Sequence, residues 1–190
     1  MKLIIVTCKE NKWYLPSVYG QKEVNVQFCK GTSAVIPLCC QAIYSELFPD
    51  LKGELLNLAS KAGVITWEQG LLLKSTGLCH GIAGNGYAVH SLYRLFKWLS
   101  DESVLNSDVS MFKTISIQWR IRAFMFAKTL CDPYIRKQSE QYIISKKIER
   151  LTEGKPDHPY SLMEGIAGEV CFLADMITGE DSMRLPGFEI

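Results

Sequence analysis

The chain has 190 residues, 47% apolar and 22% charged, a composition that folds and excludes disorder as the main state. Twenty-one basic residues against twenty acidic ones leave a net charge of +1. That excludes the concentrated positive charge with which nucleic-acid binders displace counterions, so no nucleic-acid partner is expected. No apolar run approaches the roughly 18 residues of a membrane-spanning helix.

The first 23 residues read as the end of one element followed by a loop. Leu3-Ile4-Ile5-Val6 is too short for a secretory signal core and is soon followed by Lys9. Trp13-Tyr14-Leu15-Pro16 and Tyr19-Gly20 carry turn residues without sustained periodicity. The seven cysteines are an odd number. With no signal core before them they read as reduced and cytosolic, available for metal or chemistry.

Three later segments resemble one another: Phe28-Cys29-Lys30-Gly31-Thr32-Ser33-Ala34, Leu78-Cys79-His80-Gly81-Ile82-Ala83-Gly84 and Leu162-Met163-Glu164-Gly165-Ile166-Ala167-Gly168. Self-similarity of this kind marks a repeat architecture. Each segment opens an apolar helix. The first carries Val35, Leu38, Cys39, Ala42, Ile43 and Leu47 at spacings of three and four, with Pro37 in the tolerant first turn. The second carries Tyr87, Ala88, Leu92, Leu95, Phe96 and Leu99, and the third Val170, Phe172, Leu173 and Met176. These three are expected to form an inner, mostly buried layer.

The stretches between are more charged and suit an outer, partly wet layer. One helix is expected over 51–65. Two more, over 111–130 and 134–151, are broken at Cys131-Asp132-Pro133. Residues 100–110 read as a polar loop with helix-start signals at Asp108 and Ser110. The prediction is all-α, with alternating outer and inner helices joined at one rim by Gly-rich loops.

Cys29, Cys79 and His80 fall in equivalent loops of two successive repeats. Two thiolates and one imidazole with a fourth position open suit a catalytic zinc site. A Cys-His pair in a cysteine-rich chain also arises from simple core packing, and on the residues alone both readings stand. Cys39-Cys40, Cys8, Cys131 and Cys171 read as small core hydrophobes. His90 reads as packed inside the fold and His158 as a solvated loop residue. Trp119 with Arg120 and Arg122 is too small a basic patch for nucleic acid.

The segment Gly77-Leu78-Cys79-His80-Gly81-Ile82-Ala83-Gly84-Asn85 resembles a zinc motif of the lanthionine synthetase C-like (LanC-like) family. Tyr160-Ser161-Leu162-Met163-Glu164-Gly165-Ile166-Ala167-Gly168 with Phe172-Leu173-Ala174-Asp175 is similar to the family's last repeat. Leu185-Pro186-Gly187-Phe188-Glu189 resembles the carboxy terminus of eukaryotic members. The resemblance implies an α/α toroid, an inner helical barrel within an outer one, of which this chain holds about three of seven hairpins. Residues 1–190 would be the carboxy-terminal part of one such domain.

It further implies zinc on Cys29, Cys79 and His80, and glutathione as the thiol co-substrate. The reaction implied is addition of glutathione to dehydroamino acids in peptides or proteins. Lys74 corresponds to a lysine directed at glutathione or the developing enolate; the bland alternative is a solvated charge ending an outer helix. Glu164 corresponds to His80 within the repeat and reads either as orienting a ligand or as a cap or buried ion pair. Lys30 stands where the family has histidine, and Ser33-Ala34 where it has Pro-Gly. The expected location is the cytoplasm, with peripheral association at the plasma membrane left open. A zinc- and glutathione-binding module without turnover, or a truncated fragment, is the alternative function.

Overall fold

A computed structural model describes residues 1–72, 74–102, 109–145, 158–179 and 183–188. The described residues form seven α-helices and no strands: α1 (Lys2–Glu10), α2 (Val35–Tyr44), α3 (Lys52–Gln69), α4 (Ile82–Glu102), α5 (Val109–Cys131), α6 (Pro133–Ser145) and α7 (Ile166–Thr178). Helix α2 packs on α3, and α4 packs most extensively on α5, so the hairpin is the repeating unit. Helix α4 also touches α2 on one side and α7 on the other, making α2, α4 and α7 one row. This is the all-α, alternating arrangement that the repeats predict, and it is consistent with an arc of the α/α toroid that the resemblance implies.

Helix α4 is the centre of the core. Seventeen of its 21 residues are buried, including Tyr87, Leu92, Leu95 and Phe96. Each large apolar side chain removed from water stabilises by about 1.5–3 kcal/mol. Two small residues let its neighbours approach closely. A Cβ on Gly86 would meet the Phe172 ring of α7 at 2.3 Å. One on Gly63 of α3 would meet Leu92 of α4 at 2.3 Å and Trp119 of α5 at 2.8 Å.

Several expectations need correction. Helix α3 runs to Gln69 rather than 65; the opening element, expected without a type and followed by a loop, is the nine-residue helix α1, with Ile5 and Cys8 buried. The third inner helix, α7, is not mostly buried. Ile166, Val170 and Ile177 are 50%, 57% and 85% exposed, because among the described residues no helix packs beyond it. Cys131 is exposed at the end of α5 rather than buried, and Cys171 is half-buried. The expected loop at 100–110 begins later, since α4 continues to Glu102. Residues 103–108, and 146–151 of the expected 134–151 helix, lie outside the described residues.

Cys8, Cys39 and Cys40 are fully buried as expected. Burial pushes the Cys39 thiol up to about 12 and the Cys8 thiol up to about 11, so both stay neutral and behave as hydrophobes. His90 is buried against the Tyr93 ring, and His158 is exposed.

Candidate metal centre

The three repeat loops stack at one rim in strict register. The residue after the loop glycine donates its N–H to a carbonyl seven positions back in all three. These bonds are Thr32 to Asn25 at 3.1 Å, Ile82 to Ser75 at 3.3 Å and Ile166 to Pro159 at 2.9 Å. Equivalent residues then link one loop to the next. Cys29 N–H donates to the Cys79 carbonyl at 2.9 Å, and Cys79 N–H donates to the Met163 carbonyl at 2.6 Å. The repeat is therefore a ladder of backbone bonds whose rungs are the two cysteines and Met163.

Close approach explains the glycines. A Cβ on Gly77 would lie 2.5 Å from the Glu164 backbone of the next loop. A Cβ on Gly84 would lie 1.8 Å from the Leu78 carbonyl, and one on Gly168 would lie 2.2 Å from the Leu162 carbonyl. The first loop has Ala34 at this position. There a 3-10 turn, Thr32–Ala34, precedes α2, whereas α4 and α7 begin directly after Gly81 and Gly165. The different helix start gives Ala34 its room.

The ladder brings Cys29, Cys79 and His80 together. One ligand atom from each lies within 4.8 Å of the others, with Cys29 exposed and Cys79 and His80 half-buried. Zinc–sulfur bonds of about 2.3 Å at tetrahedral angles place two sulfurs about 3.8 Å apart. The three donors therefore fit a zinc ion with small side-chain adjustment, and their chemistry is that of an open, three-ligand zinc site. Burial pushes the Cys79 thiol up to about 12, helped by its hydrogen bond with Cys29 and by the charges of Cys29 and Glu164; Lys74 acts in the opposite sense. A metal must displace that proton, because the thiolate is the ligand.

Lys74 is at the site. Its Nζ donates to Gln27 Oε1 at 2.5 Å. Gln27 lies two residues before Cys29, so Lys74 joins the two cysteine loops and its ammonium is held close to Cys79. It is not a solvated helix end, since α3 stops at Gln69. Glu164 is bonded within the third loop. Its carboxylate accepts the His158 N–H at 3.1 Å, and its own N–H donates to Ser161 Oγ at 3.1 Å. It closes its own loop.

Other residues organise the rim without having been assigned a role from sequence. Ser75 accepts the Gly77 N–H at 3.1 Å and donates to the Glu164 carbonyl, tying the second loop to the third. Asn85 is fully buried and donates to Val26 O at 3.1 Å and Gly70 O at 2.8 Å. It staples the first loop and the end of α3 to α4. The readable signal was an amide within a helix that is otherwise apolar at that depth. At the carboxy terminus Leu185 is buried, and the Phe188 ring packs edge-on against Phe28 at 4.6 Å. The tail thus backs the residue next to Cys29.

Stacked helical hairpins carrying a two-cysteine, one-histidine cluster on their rim define the class: an α/α-toroid protein with a candidate zinc centre. The family model described as lanthionine synthetase C-like protein matches residues 4–190. A LanC-like protein of Arabidopsis thaliana, GCL1, is 32% identical over 165 residues, which is 87% of this chain and 30% of that protein. A protein of Danio rerio named glutathione S-transferase LANCL1 is 31% identical over 177 residues, 93% of this chain and 34% of that protein. The chain belongs to the LanC-like family. It spans about a third of the length of these relatives.

Proposed function

We propose that this chain is a zinc-dependent thiol-activating protein that adds glutathione to dehydroamino acids in peptides or proteins. The observation that carries the reading is the gathering of Cys29, Cys79 and His80 donor atoms within 4.8 Å on adjacent rim loops. Support comes also from the similarity to a relative named as a glutathione S-transferase. Bound zinc would lower the proton affinity of a thiol in its open position and leave the thiolate as nucleophile.

The chain's own residues do the rest. Cys79 and Cys29 are held in register by the Cys29 N–H to Cys79 carbonyl bond, so the ligand set is organised before metal arrives. Lys74, fixed by Gln27, offers a cation to a glutathione carboxylate or to the enolate oxygen that develops as the C–S bond forms. The carbon of that enolate must then take a proton from an acid. The cytoplasm is the proposed location.

A second reading is a module that binds zinc and glutathione without turnover. It is favoured by Lys30, which stands beside Cys29 where the family resemblance places a histidine. Incubation of zinc-loaded protein with glutathione and a dehydroalanine peptide, followed by mass spectrometry, separates the two. A glutathione adduct that is lost in Cys79→Ala supports the enzyme. Saturable glutathione binding with no adduct supports the module. No zinc-dependent binding and no adduct overturn both.

A further inference from the structure

Cys29 and Cys79 are a pair of neighbouring thiols as well as a pair of metal donors. Their backbones are joined by the Cys29 N–H to Cys79 carbonyl bond at 2.9 Å. Residues paired through such a bond hold their Cα atoms about 5 Å apart, as between adjacent strands. A disulfide spans Cα atoms about 4.4–6.8 Å apart. The side chains converge as well. Cys79 hydrogen-bonds Cys29, and the donor atoms of the cluster lie within 4.8 Å of one another. Rotation about the side-chain bonds brings the two sulfurs together while the loops stay in place.

Access separates this pair from the other neighbouring thiols. Cys8 and Cys39 also interact with each other, but both are fully buried. Cys29 is exposed and Cys79 is half-buried. A reagent from solution therefore meets Cys29 first, and Cys79 stands beside it as the resolving thiol.

We propose that Cys29 and Cys79 exchange with glutathione disulfide to form a reversible disulfide, and that this empties the zinc site. The Cys29 thiolate, its proton released to solvent, attacks one sulfur of glutathione disulfide. The sulfur–sulfur bond of that molecule breaks, and one glutathione leaves and takes up a proton. A mixed disulfide of Cys29 with glutathione remains. The Cys79 thiolate then attacks the Cys29 sulfur, and the second glutathione leaves in the same way. Two protein thiols are oxidised to one disulfide, and one glutathione disulfide is reduced to two glutathiones. Two of the three zinc donors are lost, and one imidazole does not make a zinc site. Excess glutathione runs the exchange backwards and restores both ligands. The disulfide rests on the geometry of the two thiols alone. Its effect on activity rests on the function proposed above.

The test uses the full chain carrying Cys131→Ser, which removes the exposed thiol at the end of α5. Metal-free and zinc-loaded samples are incubated with millimolar glutathione disulfide. Intact mass, peptide mapping without reductant and a chromogenic zinc chelator are the readouts. Both samples should lose two hydrogens and yield a linked Cys29–Cys79 peptide. The loaded sample should release all its zinc, and glutathione should reverse each change. Adding Cys79→Ser should stop the exchange at a mixed disulfide on Cys29. Thiols that stay unlinked would overturn the inference, as would a Cys29 mixed disulfide that persists beside an intact Cys79. So would a loaded chain that keeps its zinc while only the metal-free chain is linked. A chain that links its thiols but takes up no zinc supports the disulfide and refutes the zinc-dependent function. A chain that binds zinc and makes the glutathione adduct but never links its thiols refutes this inference alone.

Discussion

The first and second rim loops hold the same kind of candidate ligand, a cysteine, by different local means. The second loop runs Gly77 to Gly84 and enters α4 directly after Gly81, with a Leu78 carbonyl so near Gly84 that no side chain fits. The first loop reaches α2 through a 3-10 turn and tolerates Ala34 at the matching place. Yet both keep the bond seven residues back, and both present a cysteine at the same rung. The rung is thus set by the ladder between loops, and the helix start can vary beneath it.

This comparison can be broken most sharply at the glycine. Gly84→Ala should destabilise the fold by more than about 4 kcal/mol, because a Cβ would meet backbone rather than a movable side chain. Ala34→Gly, its counterpart, should cost about 1 kcal/mol or less. Denaturant unfolding of the two variants checks the contrast; similar losses would refute the different packing of the loops.

The helices behind the loops differ as well. Helix α2 buries Cys39, whereas α4 contains no cysteine. With a folded thiol raised to about 12 from an ordinary value near 9, the unfolded chain loses its proton first as pH rises. Stability is therefore fully present below pH 9 and declines between pH 9 and 12, by at most about 4 kcal/mol from this group. Comparing unfolding of the parent and Cys39→Ala across that range isolates it. The parent's alkaline slope should exceed the variant's, and equal slopes would contradict the assignment.

Asn85 sharpens the comparison from the other side, since it ties the first loop to the second loop's helix. Asn85→Ala removes two buried donors from Val26 O and Gly70 O and should cost about 2–4 kcal/mol. Zinc affinity should fall with it, as the first loop loses its attachment. Thermal melting with and without zinc reads both effects.

The smallest effects concern the residues around the ligands. Lys74→Met should raise KM for glutathione about tenfold, the scale of one lost charge-assisted contact, while leaving zinc content unchanged. Lys30→His, at an exposed position beside Cys29, should also leave zinc content unchanged. Metal analysis and steady-state kinetics on the two variants check these outcomes.

Much of this was legible in the chain itself. The three Gly-containing segments placed the loops, and the apolar spacing after each placed α2, α4 and α7. Cys29, Cys79 and His80 were readable because their residue types suit one metal and their loops are equivalent. The rungs between loops were not readable, because they are backbone bonds between residues 50 and 84 positions apart and carry no side-chain signature. The role of Gln27 in fixing Lys74 was hidden for the same reason, being a contact across 47 residues. The exposure of α7 depends on what packs beside it, so an apolar pattern alone overstated its burial. Cys131 was misread because residue type was weighed without its position at a helix end.

The central claim is that Cys29, Cys79 and His80 form one zinc site. It is tested most directly by zinc content per chain in purified, folded protein, measured beside Cys79→Ala and Cys29→Ala. The account predicts close to one zinc in the parent and close to none in either variant, with both variants still folded. A folded parent that binds no zinc, or a Cys79→Ala protein that keeps its full complement, would contradict it.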